Sequence, residues 1–384
     1  MAKGISVNPK IIQWAIQSSG KNIIQISQKF SKINEWTSKE CELSVSELNK
    51  LSKELRIPFG YFFLKNPPVE DIKLLKYRTI DNEEHTRPSR NLIDTIKYME
   101  TRQDFMKETL IEDGFLPLNF VGSASIKDDV EELSEKIIAK LGVTRDWNKK
   151  GKDTFNILKN AVSELGIMVM QNGVVGNNNS RPLDISEFRA FVLIDEYVPL
   201  IFLNAKDSFN AKIFSLCHEL VHIWLGIDEL YNDSFNNKEN ILNEKLENFC
   251  NKVAAEMLLP RKLLINIYKI NQDPYTNIKE ISSRINVSDL VVCVKIKQEK
   301  YIDNKTFQEI YKILLQEMND NLLNKEKGSG GNYYNTSKSR LDANFVHSVN
   351  RKAKEGKILY SEAYNLVGAK GKTYDNLIKF MEGR

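Results

Sequence analysis

The residues best suited to chemistry stand together near the middle of the chain, where positions 218–222 read HELVH. On a helix, positions four apart point about 40° from each other, so His218 and His222 would project from one face. Two imidazoles on one face can share a divalent metal at about 2.0–2.1 Å, and Glu219 beside them can act as a general base. The spacing therefore predicts a zinc site with a catalytic carboxylate; a pair of packing histidines is the alternative.

A catalytic zinc ion needs a third protein ligand, which leaves a fourth position for water. A second predicted helix, NEKLENFCNKVAAEMLLP, follows downstream and offers Glu247 as that ligand. Asn251 lies one turn later on the same face, where it would either orient a ligand through a hydrogen bond or serve as a helix-packing amide. Four other carboxylates compete with Glu247 for the ligand role: Asp228, Glu229, Glu239 and Glu244.

The elements around HELVH must hold it in place, and the spacing of apolar residues predicts what these elements are. An apolar stripe at helical spacing supports the helix, and Gly226 can end it. The preceding segment, EFRAFVLIDEYVPLIFLN, predicts two short strands around a turn near 195–196. Together these patterns predict an α+β fold that is predominantly helical, with a small sheet next to the HELVH helix.

Two features of the strand segment bear on how a substrate would be held. Arg189 is a charged residue within an apolar run, so it is a candidate contact for an acidic substrate group, with a structural salt bridge as the alternative. The strands could also offer an edge to which a substrate backbone pairs, or they could be ordinary core strands.

These segments carry a family resemblance. HELVHIWLG, the following ENFCNKVAAEMLLP and the preceding strand pair resemble the ImmA/IrrE family of bacterial and phage metallopeptidases. The resemblance implies a zincin-like metallopeptidase core that binds Zn²⁺ through His218, His222 and Glu247, with Glu219 as the catalytic carboxylate. It further implies a zinc-dependent endopeptidase whose protein substrate is a DNA-binding repressor or an antitoxin-like partner.

A different function fits the same residues. The chain could be a DNA-binding transcriptional regulator or antitoxin component in which the zinc fold senses or scaffolds with little turnover. The complete HELVH motif favours the enzyme, because a scaffold has no chemical need for Glu219.

The N-terminal segment resembles the Xre-type helix-turn-helix family, on its closing LNKLSKELRIP helix and the pattern before it. The stretch 26–36 is shorter than usual where the recognition helix should begin, and that helix's first residues read base edges. Lys29 and Lys32 are candidate phosphate contacts. A protein-docking or purely structural helical unit is the alternative.

The C-terminal segment is the most basic part of the chain. From Gly331 onward it has ten Lys and Arg residues against five Asp and Glu residues. Its last part, ILYSEAYNLVGAKGKTYDNLIKF, predicts a second helix-turn-helix. The first helix of this motif would end near Leu366, and Thr373 would cap the start of the second. Lys370 and Lys372 are candidate nucleic-acid contacts there, and a solvated basic tail is the alternative.

The changes in composition and pattern predict five regions. They are a helix-turn-helix-like helical domain (1–68), a helical connector (69–150), a metallopeptidase domain with a helical extension (151–325), a Gly-rich linker (326–335) and a basic C-terminal helical domain (336–384).

Whole-chain properties exclude several classes of protein. The net charge of +4 is too balanced for nucleic-acid binding over the entire surface. No window approaches the ~18–20 apolar residues of a membrane span, and the first residues lack the apolar core of a signal peptide, so we expect a cytoplasmic protein without membrane contact. The four cysteines lack CxxC spacing, which favours reduced thiols over a disulfide scaffold.

Overall fold

The structure is a computed structural model that describes residues 4–68, 88–144, 147–149, 153–226, 237–323 and 332–383. These residues form two compact units, the first comprising 4–68 with 88–98 and the second the described residues from 99 onward. No helix among them is long and apolar enough to cross a membrane.

The first unit contains four short helices around their own apolar core. Its elements are β1 (Ile5–Val7), α1 (Pro9–Ser19), α2 (Ile23–Ser27), α3 (Ile33–Ser38), β2 (Cys41–Leu43), α4 (Val45–Leu55) and a 3₁₀ turn at Phe59–Phe63. The helix starts follow from their sequence: Asn8 caps α1 ahead of Pro9, and Ser44 and Glu47 form a reciprocal capping box on α4. The antiparallel pair β1–β2 was not predicted, because three-residue strands leave almost no periodic signal.

The second unit is predominantly helical with small sheets. Residues 90–98 of α5 are counted with the first unit. In chain order its elements are α5 (Arg90–Glu112), α6 (Val130–Leu141), α7 (Thr154–Glu164), β3 (Met168–Asn172), β4 (Val174–Val175), β5 (Asn178–Pro182), β6 (Ala190–Leu193), β7 (Leu200–Asn204), α8 (Phe209–Leu225), α9 (Asn237–Leu258), α10 (Arg261–Ile267), α11 (Pro274–Arg284), α12 (Asp289–Gln298), α13 (Asn304–Leu323), α14 (Tyr333–Arg340), α15 (Ala343–Lys354), α16 (Tyr360–Val367) and α17 (Lys372–Met381).

A three-stranded sheet stands next to the helix that carries HELVH. Its strand order is β3-β7-β6, with β3 parallel and β6 antiparallel to the central strand β7. Alternate residues of each strand point to opposite faces. One set, including Val192 and Ile201, joins the main core with α8, while the other set includes the stacked rings of Phe191 and Phe202, 5.0 Å apart.

The predicted α+β fold is therefore confirmed as a predominantly helical chain with small sheets, and the strands β6 and β7 lie on either side of the expected turn. Residues 178–182, in the polar segment NNNSRP, form β5, which pairs with β4. That strand is largely exposed and polar on both faces, so it lacks the apolar alternation that marks a strand.

The C-terminal region ends in three helices with a sharp turn between the last two. α16 ends at Val367, Gly368 adopts a left-handed conformation (φ 79°), and α17 begins at Lys372 after Gly371. The predicted cap at Thr373 is wrong, since this residue already lies within the first turn of α17. Most of the Gly-rich linker predicted at 326–335 lies outside the described residues.

Candidate metal centre

The helix α8 holds the HELVH motif in the centre of the second unit. It begins after Ser208, whose hydroxyl accepts a hydrogen bond from the amide of Ala211, and ends at Gly226, which has φ 58°. Every residue from 213 to 225 is buried. The sequence had predicted one apolar face; burial on all sides arises because α7, α9 and the sheet all pack against this helix.

An irregular segment, residues 115–124, runs across the C-terminal end of α8, and we refer to it as the strap. The amide of Gly122 donates to Ile223 O (3.0 Å), and the amide of Ala124 donates to Trp224 O (2.8 Å). The bond from Ala124 satisfies a carbonyl of the last turn of α8, and the bond from Gly122 adds to the one that Ile223 O already accepts from the amide of Gly226 (3.2 Å). The rings of Phe120 and Trp224 stack with centroids 4.5 Å apart. The strap therefore fixes the end of the helix two residues beyond His222.

The helix α9 packs against α8 and brings a carboxylate to the imidazoles. The Glu247 oxygens lie 3.1 Å from His218 Nε2 and 3.4 Å from His222 Nε2, and the two Nε2 atoms are 3.0 Å apart. The histidine side chains are 2% and 3% exposed, whereas that of Glu247 is 35% exposed. The cluster is therefore buried on its histidine side and open to solvent at the carboxylate.

This donor set fits a divalent metal ion. Ligand atoms at about 2.0–2.1 Å from a tetrahedral zinc ion are separated from one another by about 3.3–3.4 Å, close to the three observed separations. One ligand atom from each residue lies within 4.8 Å of the others, and no second group of three such residues is found among those that the structure describes. Two neutral imidazoles and one carboxylate also leave the site with a net negative charge, which a divalent cation neutralises.

The second ring nitrogen of each histidine is held by a residue of α9. His218 Nδ1 is 3.1 Å from Asn251 Oδ1, and His222 Nδ1 is 3.8 Å from Cys250 Sγ. A hydrogen bond from Nδ1–H to the amide oxygen leaves the Nε2 lone pair of His218 directed at the cluster, as metal ligation requires. The contact of Cys250 was not predicted, although its spacing of three from Glu247 places it on the same helical face.

The remaining residues of the motif are buried beside this cluster. Glu219 is 1% exposed and directly follows His218, so its side chain leaves the helix about 100° away in azimuth. Cys217 is fully buried in the core, and this burial raises the pKa of its thiol far above the usual range. The thiol of Cys217 is not among the clustered ligand atoms.

Two competing ligands for the third position, Asp228 and Glu229, lie outside the described residues. The side chains of the other two, Glu239 and Glu244, are also outside the part of α9 whose side chains the structure describes.

The structure places Arg189 in a buried ion pair rather than at an open surface. Its Nη1 lies 3.1–3.2 Å from both carboxylate oxygens of Asp207, and the two side chains are 9% and 3% exposed. This geometry corresponds to the structural salt bridge, the alternative to a substrate contact. The strand β6 lies at the edge of the sheet but is buried throughout, and Gln103 donates to Leu193 O (2.9 Å), so substrate pairing along this edge stays a prediction.

The four lysines predicted to contact nucleic acid have different surroundings. Lys29 forms an ion pair with Glu54 (2.8 Å), so a phosphate group would have to compete with the Glu54 carboxylate for this lysine. Lys32 is exposed at the start of the six-residue helix α3. Lys370 and Lys372 are exposed beside the turn between α16 and α17. Nucleic-acid contact through either region stays a prediction.

A buried HExxH helix with a carboxylate delivered by a following helix defines a metallopeptidase-like class of site. Comparison with protein families agrees: residues 162–297 match the IrrE N-terminal-like domain, Peptidase_M78. The predicted resemblance to ImmA/IrrE metallopeptidases is thus confirmed for this part of the chain, which contains α8, α9 and the three-stranded sheet. The Xre-type resemblance of the N-terminal segment stays a prediction.

A second family model matches residues 341–380 and is described as a domain of unknown function (DUF8813). This range contains α15, α16 and all but the last residue of α17, and it lies within the region predicted as the C-terminal domain. A search of curated proteins finds no match to the chain.

Proposed function

We propose that this protein is a zinc-dependent endopeptidase that hydrolyses peptide bonds in a protein substrate. The observation that carries the proposal is the convergence of His218 Nε2, His222 Nε2 and the Glu247 carboxylate on one point. These three residues would hold the metal. When bound, zinc polarises a scissile carbonyl and lowers the pKa of water to about 7. The match of residues 162–297 to a peptidase family supports this reading.

Glu219 is proposed to act as the general base and acid. Its carboxylate would accept the proton of the attacking water and pass it to the nitrogen of the leaving amine, so that no covalent intermediate is needed. It belongs to the same rigid helix as His218 and His222, which fixes its position relative to them. The opening at Glu247, the most exposed of the three proposed ligands, is the side from which a substrate would reach the site.

Asn251 is proposed to keep His218 in the ligating tautomer. Its amide oxygen accepts the Nδ1 proton and so prevents the ring from presenting a protonated Nε2. Cys250 supports His222 from the neighbouring position on α9, where its contact is longer.

The proposed substrate is a DNA-binding repressor or an antitoxin-like partner, as the ImmA/IrrE resemblance implies. The alternative is a regulator in which the metal site has little turnover. The role of Glu219 distinguishes the endopeptidase from the regulator, since only a hydrolytic site depends on a base next to the metal ligands.

The test compares metal content and cleavage in the full-length protein. His218→Ala is expected to lose zinc, and His347→Ala, which removes a histidine outside the cluster, should retain it. Glu219→Gln should keep zinc but cleave a repressor encoded next to this chain at least ~100-fold more slowly. Undiminished cleavage by Glu219→Gln refutes the base, and zinc binding by the wild type with no cleavage of any such repressor supports the regulator.

A further inference from the structure

The second unit has a cavity apart from the metal centre. It has a volume of about 440 Å³ and lies between the end of α5, the strap, the end of α7, the turn before β7 and one face of α15. This volume falls in the range of about 300–1,000 Å³ typical of small-molecule sites. Apolar side chains from three elements line much of it: Met106, Leu110, Phe115, Leu116, Leu118 and Met168.

Two of the strap residues on its wall are exposed to an unusual degree. Leu116 is 82% exposed and Phe115 is 60% exposed, although both are large apolar side chains. Burying such a side chain against an apolar ligand releases roughly 25 cal/mol for each Å² removed from water. The wall therefore favours a ligand with an apolar body.

The charges on the lining favour a cation over an anion. Asp113 is ion-paired with Arg351, which holds the pKa of that carboxyl below its usual range. Asp342 is buried and accepts a hydrogen bond from Ser163 Oγ (2.7 Å). Glu164, by contrast, is exposed and forms no ion pair with any residue that the structure describes. One carboxylate on the lining is thus available to a ligand.

The backbone adds to this preference. Glu164 is the last residue of α7, and the carbonyls at the C-terminal end of a helix carry its partial negative charge. Gly166, which also lines the cavity, follows with φ 89°. A cationic group beside Glu164 would therefore meet both a carboxylate and the negative end of the α7 dipole.

We propose that this cavity binds a small amphipathic amine, with its ammonium group at Glu164 and its apolar body against Leu116 and Leu118. The same strap that lines the cavity continues to Gly122 and Ala124, whose amides cap α8. A ligand that packs against residues 115–118 would restrict the strap up to those capping bonds, so the proposal couples binding at the cavity to the end of the helix that carries His222. Neither matched family description assigns a ligand to this place.

The binding test uses three probes of equal shape: 4-phenylbutylamine, 4-phenylbutanol and 4-phenylbutyrate, titrated by calorimetry into the metal-free full-length protein. The amine is expected to bind roughly 10-fold more tightly than the carboxylate, since an exposed ion pair and a helix terminus each contribute modestly. Glu164→Gln should reduce that ratio to about 3-fold or less. Equal affinities for amine and carboxylate in the wild type overturn the proposal.

Location is tested with two substitutions matched for exposure. Leu116→Asp removes an apolar contact in the cavity, and Ile270→Asp changes a side chain of nearly equal exposure (81%) that does not line it. Binding of the alcohol, which has no charge, should be lost in Leu116→Asp and retained in Ile270→Asp. Retention in both variants places the ligand elsewhere and refutes the site.

Coupling is read by amide hydrogen exchange, which needs no metal and so remains informative even if the proposed peptidase function fails. Saturating amine is expected to slow exchange at Gly122 and Ala124 by about 5-fold, near the lower limit of typical coupling between sites. The exchange of residues in α17 serves as an internal reference. Unchanged exchange at the two strap amides with the amine bound refutes the coupling.

Discussion

The contact between the strap and the end of α8 gives a sharp test of the fold, because two glycines meet there. Gly226 has φ 58°, and a Cβ at this position would lie 2.4 Å from Gly122 Cα. Gly142 ends α6 in the same conformation (φ 64°) but has no atom within 4 Å of the equivalent point. The pair of substitutions Gly226→Ala and Gly142→Ala therefore separates backbone strain from the close approach of the strap.

Both substitutions place alanine in the left-handed region, at a cost of about 1 kcal/mol. Gly226→Ala must in addition displace the strap, because two carbon atoms cannot approach to 2.4 Å. That displacement breaks the bonds from Gly122 and Ala124 to α8, each contributing about 1 kcal/mol. We expect a loss in the free energy of unfolding of about 3 kcal/mol for Gly226→Ala and about 1 kcal/mol for Gly142→Ala.

Urea denaturation followed by circular dichroism measures both values in one experiment. Equal losses of about 1 kcal/mol for the two variants would falsify the packing of the strap on α8, since only the dihedral strain would then be felt. A large loss in both variants would instead show that the cap of α6 is under a constraint that its open surroundings do not explain.

Three further outcomes concern individual side chains that differ in burial and in their contacts. Asn251→Ala should weaken zinc binding by about 10- to 100-fold in a chelator competition, whereas the exposed Asn376→Ala should not, because only Asn251 orients His218. Burial lowers the pKa of Lys159 to about 8, so the unfolded chain binds a proton that the native state lacks between that pH and 10.5. Stability of the wild type should accordingly rise over this window, by up to about 3 kcal/mol relative to Lys159→Met in pH-dependent denaturation. Among the four thiols, Cys41 is the one that is not buried, so a thiol reagent should label it first in the native protein, and simultaneous labelling of a buried thiol would contradict the packing.

Much of the candidate metal centre could be predicted from the sequence, because it depends on short-range geometry. The spacing of His218 and His222 is a property of any α-helix, and the helix itself was marked by its apolar residues and by Gly226. The same is true of Glu247 and Asn251, which share a face of α9 by their spacing alone. The family match then supported the peptidase reading for residues 162–297.

Tertiary structure alone decided what those side chains face. The burial of α8 on all sides, the pairing of Arg189 with Asp207 and the capping of α8 by Gly122 join segments that are distant in the chain. Periodicity reports which side of an element is apolar, but it carries no information on which remote segment covers that side. For the same reason the cavity beside Glu164 had no signature in the sequence, since it exists only where separate elements fail to fill the space between them.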